Sequence, residues 1–176
     1  LGKLVSAYTS GAMKIKPLLE QILAHPALYA SLDEPTMIKP PVVYVVGAMR
    51  TLGAQVKDST PSDHLDAMGQ VPYFPPTVAG WEGGLSWLNT NTALARFSLV
   101  ATLVSRMTID DVIGETAAAA YDRAHAAVGQ PWLAPATQTA IRDYAGRAGS
   151  SNSKLRKERQ LMLRALMLAG PDAQVM

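Results

Sequence analysis

The chain has 176 residues, 48% of them hydrophobic and 17% charged, which suits one domain with a buried core and excludes a disordered tail. Sixteen Lys and Arg against fourteen Asp and Glu leave a net charge of +2, too little to argue for nucleic acid or an anionic membrane as partner. The absence of cysteine excludes disulfides, thiolate metal sites and a thiol nucleophile.

In chain order, LGKLVSAYTSG lacks the basic and apolar regions of a signal peptide, and the start at Leu1 is read as that of a fragment. KPLLEQILAHP predicts a helix with Pro17 at its first position and Pro26 as its stop. In KPPVVYVVGAMRTLGAQV, Val42, Val45, Val46, Met49, Leu52 and Val56 follow the three-four spacing of one helix face. Its β-branched content would suit a strand, but the run is too long and has the wrong period. PSDHLDAMG predicts a short helix capped by Ser62 or Asp63 and stopped at Gly69.

TNTALARFSLVATLVSRM is apolar nearly all round, which predicts a central, buried helix. Thr108 and Asp111 resemble a capping box opening IDDVIGETAAAAYDRAHAAVG, with Asp110, Asp111 and Glu115 placed to suit the helix dipole. Pro135 starts a helix through IRDYAG, and GSSNS links it to KLRKERQLMLRALMLAG. No segment alternates as a strand would, and no apolar run is long enough to cross a bilayer. The expected fold is all-α: an irregular multi-helix bundle with one long aromatic-, Gly- and Pro-rich ordered loop at 68–90, residues 1–176 forming a single helical unit.

Two motifs carry a family resemblance. IKPPVVYVVGAMRTLG contains Lys39, Pro41, Gly47, Arg50 and Gly53. MGQVPYFPPTVAGWEGGLSWLNTNTALAR contains Gly69, Gln70, Pro75, Pro76, Gly80, Trp81, Gly83, Gly84, Trp87, Asn89 and Arg96. Together they resemble the domain-of-unknown-function 1800 family, and the tail LMLAGPDAQ matches it more loosely. Pro40, Thr77 and Asp172-Ala173 depart from the pattern, and the changed tail suggests a weaker final anchor. The resemblance implies the C-terminal part of a larger bacterial helical domain, often exported and therefore extracytoplasmic, with no assigned activity.

The loop offers two readings. Tyr73, Phe74, Trp81 and Trp87 could form a stacking surface for sugar rings, with Gln70, Glu82 and Asn89 as hydrogen-bonding groups. The preferred reading is that the aromatics fold back as an internal plug, because an ordered long loop must bury something of its own. On that reading Trp87→Ala costs roughly 3–5 kcal/mol, as for a core aromatic.

Arg50 and Arg96 are cations in apolar helices, so each needs an acidic or carbonyl partner. They are read as clamps pinning the loop to the core, rather than as a site for carboxylate, sulfate or phosphate. The candidate ligand-binding set is thus Trp81, Glu82, Trp87, Asn89, Arg96 and Arg50.

No catalytic residue, metal or cofactor is assigned. Asp63, His64 and Asp66 lie too close on one short helix to share an ion; His25 precedes a proline, and His125 sits in an alanine-rich helix. No GxSxG elbow occurs. Lys154, Arg156, Lys157 and Arg159 in KLRKER are read as a solvated helix face rather than an anion site. The expected function is a scaffold or interaction module with a protein or glycan partner. The alternative is part of an enzyme or carbohydrate-binding protein whose 70–89 loop lines the site. Burial of Trp81 and Trp87 separates the two.

Overall fold

Helices begin where the sequence supplies a proline or a capping side chain, and the computed structural model shows eight of them among the described residues, 1–30 and 35–176. They form two compact units, Leu1–Thr36 and Met37–Met176. The all-α expectation holds: among the described residues, extended pairing is limited to two isolated bridges, Ile38 with Val175 and Thr77 with Gly80.

The first unit contains α1 (Gly2–Ser10), α2 (Ile15–Leu23) and a 3-10 turn at Pro26–Leu28. Pro17 lies within the first turn of α2 rather than at its first position. His25 caps the 3-10 turn, its Nδ1 accepting from the Ala27 N–H at 3.2 Å. None of the described residues in this unit is buried.

The second unit holds α3 (Pro41–Thr51), α4 (Thr60–Ala67), α5 (Thr90–Ser105), α6 (Ala117–Ala127), α7 (Pro135–Arg147) and α8 (Ser153–Ala169). Two 3-10 turns, Gly84–Trp87 and Pro171–Gln174, precede α5 and follow α8. One apolar cluster joins Tyr44, Val45, Ala48 and Met49 of α3 to Met68 and to Leu99, Val100, Leu103 and Val104 of α5. A second joins Ala120, Tyr121 and Ala124 of α6 to Ile141 and Ala145 of α7 and to Leu163 and Met167 of α8. Leu161, Ala165 and Leu168 of α8 pack against the first cluster, so α8 serves both. Each fully buried side chain such as Leu99 or Leu163 contributes about 1.5–3 kcal/mol.

Two helix faces differ from their predicted ones. On α3 the buried residues are Pro41, Tyr44, Val45, Ala48 and Met49, while Val46 and Val56 are exposed. Tyr44 and Ala48 fill the interior because their ridge faces α5, and hydrophobicity alone ranked the valines above them. On α5 the buried stripe is Thr92, Arg96, Leu99, Val100, Leu103 and Val104, whereas Leu94 and Phe97 face outward. The helix is therefore buried on one side, not all round.

The start of α6 also moves. Thr116 caps it, accepting from the Ala119 N–H at 3.1 Å, so Thr108 opens no helix and residues 108–115 form a loop. The tail is not a weak anchor. Asp172 accepts from the Ala134 N–H at 2.8 Å at the start of α7, and residues 37–39 pair with residues 174–176 through three backbone hydrogen bonds. Lys39 N–H to Gln174 O and Met176 N–H to Met37 O, both at 2.8 Å, make the Ile38–Val175 bridge, and Met37 N–H donates to Met176 O at 3.2 Å.

Candidate functional site

The loop between α4 and α5 is held at both ends. Gly69, at φ 79°, lets the chain leave α4, and the Gln70 side chain then accepts from the Val42 N–H at 2.9 Å. The Gln70 side-chain oxygen is thereby committed to α3, and Gln70 is not part of the cleft that Trp81 and Trp87 line. At the other end Asn89 caps α5, accepting from the N–H groups of Asn91 and Thr92, both at 3.0 Å. Thr92 returns the bond, accepting from the Asn89 N–H at 2.9 Å, which completes a capping box.

Arg96 anchors this end from inside. It is 0% exposed. Its Nη2 donates to Lys39 O at 2.8 Å and to Trp87 O at 3.3 Å, and its Nη1 to Gln174 Oε1 at 3.3 Å. The guanidinium carbon lies 4.7 Å from the centre of the Tyr44 ring. The clamp predicted for Arg96 is present, and its partners are carbonyl oxygens and a ring face. Burial holds the Arg96 pKa below its ordinary value. Lys39 is lowered as well, first by burial and then by Arg96, while its Nζ donates to Ala173 O at 2.9 Å. Sealed in this way, Arg96 has no access to a soluble ligand. Arg50 lies exposed on α3 and clamps nothing among the described residues.

The loop between these anchors is not a plug. Tyr73 is 96% exposed, Phe74 79% and Leu85 83%, and Val78 is fully exposed. Tyr73 also sits at φ 67°, a conformation that a bulky residue rarely adopts. Trp81 and Trp87 are half-buried. They line an open cleft of about 710 Å³ together with Asp66, Glu82, Ser86, Asn89, Asn91 and Thr92. The predicted aromatic surface thus divides: the tryptophans face the cleft, while Tyr73 and Phe74 are not part of its wall. Of the candidate set, Trp81, Glu82, Trp87 and Asn89 come together, and Arg96 and Arg50 stand apart.

Asn91 escaped the sequence reading, and Asp66 entered it only as a rejected metal ligand. Neither lies in the aromatic run, and only the approach of α4 to α5 brings them to the same cleft as Trp81.

A second polar cluster revises the reading of KLRKER. Arg156 pairs bidentately with Asp111, Nε to Oδ1 at 2.6 Å and Nη2 to Oδ2 at 2.7 Å. This holds the Asp111 carboxyl down at about 2, mainly through the Arg156 hydrogen bonds. The Glu115 carboxylate is buried between Arg159 Nη2 at 3.0 Å and Arg123 Nε at 2.6 Å, with Gln160 Nε2 3.4 Å from both of its oxygens. Lys157 and Lys154 stay exposed, so half of that stretch is interior. The histidines are engaged by backbone too: His64 Nδ1 lies 2.8 Å from Thr60 O, and His125 Nε2 lies 2.9 Å from Pro131 O.

The family model described as "Protein of unknown function (DUF1800)" matches residues 1–175, essentially the whole chain. No curated protein and no solved structure matches it.

Proposed function

The chain belongs to the DUF1800 family of proteins of unknown function, and we propose that it acts as a helical scaffold that presents the 70–89 loop to a protein partner. The observation that carries this reading is the contrast between the loop's base and its tip. The base is tied to α3 and α5 by Gln70, Asn89 and the buried Arg96. The tip carries Tyr73, Phe74, Val78 and Leu85 almost wholly in water.

Leaving large apolar side chains exposed on an anchored loop forgoes their burial energy, about 1.5–3 kcal/mol each. Four large apolar side chains exposed on one anchored loop support a surface that another molecule covers. The left-handed backbone at Tyr73 adds local strain that serves to point the ring outward. We further propose, from the family resemblance alone, a bacterial protein that works outside the cytoplasm; fractionation of the source cells, with a cytoplasmic marker as control, tests this.

The decisive experiment replaces Phe74 with p-benzoylphenylalanine in the full-length protein and irradiates it in its native cells. The expected result is one discrete protein adduct, lost when Tyr73 and Val78 are changed to Ser. A pattern no different from that of the same probe at exposed Leu94 would sink the proposal.

A further inference from the structure

We infer that the cleft behind the loop, separate from its apolar tip, is a binding site for a neutral saccharide, with Trp81 and Trp87 as stacking faces. Three observations carry this. First, both indoles are half-buried along one open cleft of about 710 Å³, within the range of about 300–1,000 Å³ usual for ligand clefts. A half-buried indole offers a flat apolar face with a polar edge, which is the surface a pyranose ring stacks on.

Second, the cleft has uncommitted polar groups. The side chains of Asp66, Glu82 and Asn91 and both indole N–H groups make no hydrogen bond among the described residues. They offer carboxylate acceptors, an amide that both donates and accepts, and two donors, a set that matches ring hydroxyls, which do both. Asn89 and Thr92, in contrast, are occupied by the α5 cap and shape the wall.

Third, the charge selects the ligand. The ionisable residues of the lining are Asp66 and Glu82, with no Lys or Arg among them. A uronate, sulfated sugar or phosphate would meet two carboxylates without a counter-charge, so an uncharged sugar fits and an anionic one does not. Gly80, in the lining at φ 95°, bends the backbone of this wall without a side chain to obstruct it.

Titration of the chain with cellohexaose, chitohexaose and a polygalacturonate hexamer, read by tryptophan emission, tests the inference. Trp132, outside the cleft, provides an internal reference. One or both neutral hexamers should give saturable quenching, weakened at least tenfold in Trp81→Ala and in Trp87→Ala and several-fold in Glu82→Gln. The anionic hexamer should give none. Far-UV circular dichroism establishes that each variant is folded, and Glu82→Gln, on an exposed side chain, keeps the test informative if a tryptophan variant unfolds. The inference is overturned if the folded protein shows no saturable response to either neutral hexamer. It is equally overturned if the response survives both tryptophan substitutions, or if the anionic hexamer binds as well. The crosslinking result at Phe74 bears on the tip alone, so the two proposals fail independently.

Discussion

Arg96 concentrates the most consequences in one side chain. Its fork satisfies two backbone carbonyls and the Gln174 amide oxygen at once, from segments that are 57, 9 and 78 residues away. Arg96→Ala leaves Lys39 O and Gln174 Oε1 without donors, while Trp87 O keeps the Thr92 hydroxyl; each loss costs about 1–3 kcal/mol, so the expected total is of order 3 kcal/mol or more. Urea denaturation measures it, and Arg96→Lys should recover only part, because an ammonium cannot span three acceptors in one plane.

Trp87 contributes through its backbone more than its ring. Its carbonyl accepts from Arg96 and Thr92, contacts an alanine would keep. With the residue only partly buried, Trp87→Ala is expected to cost about 1–2 kcal/mol rather than the core value of roughly 3–5. A melting-temperature shift near that of a core aromatic would restore the plug.

Asp111 couples stability to acid. Its folded pKa of about 2 lies below the ordinary 3.8, so its contribution is fully present above the unfolded value and is lost as pH falls through the folded one. Asp111→Asn should therefore flatten the loss of stability between about pH 4 and pH 2, read from melting temperatures across that window.

At the scale of elements, the loop is shaped by backbone conformation and the helices by side-chain spacing. Gly80 turns the loop at φ 95°, and a Cβ there meets no atom within 4 Å. The cost of Gly80→Ala is then conformational alone, about 1–2 kcal/mol. Thermal denaturation checks the magnitude, and a change in near-ultraviolet dichroism should accompany it as Trp81 moves.

The α6 and α8 helices show how charge pairs across elements. Arg156 and Arg159, near the N-terminus of α8, are disfavoured by its dipole, yet Asp111 and Glu115 in the loop before α6 compensate them. What looked like a basic helix face is half an ion-pair lattice. The other half sits 44 or 45 residues earlier, beyond the reach of any local pattern.

At the scale of the whole molecule, the second unit closes on itself. Residues 37–39 pair with 174–176, Gln174 meets Arg96, and Asp172 caps α7. Removing residues 170–176 would break all three at once, so the truncated chain is expected to lose cooperative unfolding or to melt far lower. Limited proteolysis with and without the tail measures this, and equal protection would show the closure to be dispensable. The first unit has no buried residue among those described, and none of these contributions comes from it.

The all-α class, most helix positions, the extent of the loop and the family were legible in the sequence. Hydrophobic period, prolines and caps act within a few residues, and the two family motifs are contiguous. Arg96 as a clamp was legible for a related reason, since a cation on an apolar helix must find acceptors somewhere. Only the tertiary structure decided that Arg50 stays outside, that Arg159 goes inside, and that Tyr73 and Phe74 lie in water while Trp81 and Trp87 line a cleft with Asp66. A short-range pattern says that a side chain is apolar or charged. Whether it is buried depends on partners brought close by the fold, and those lie tens of residues away.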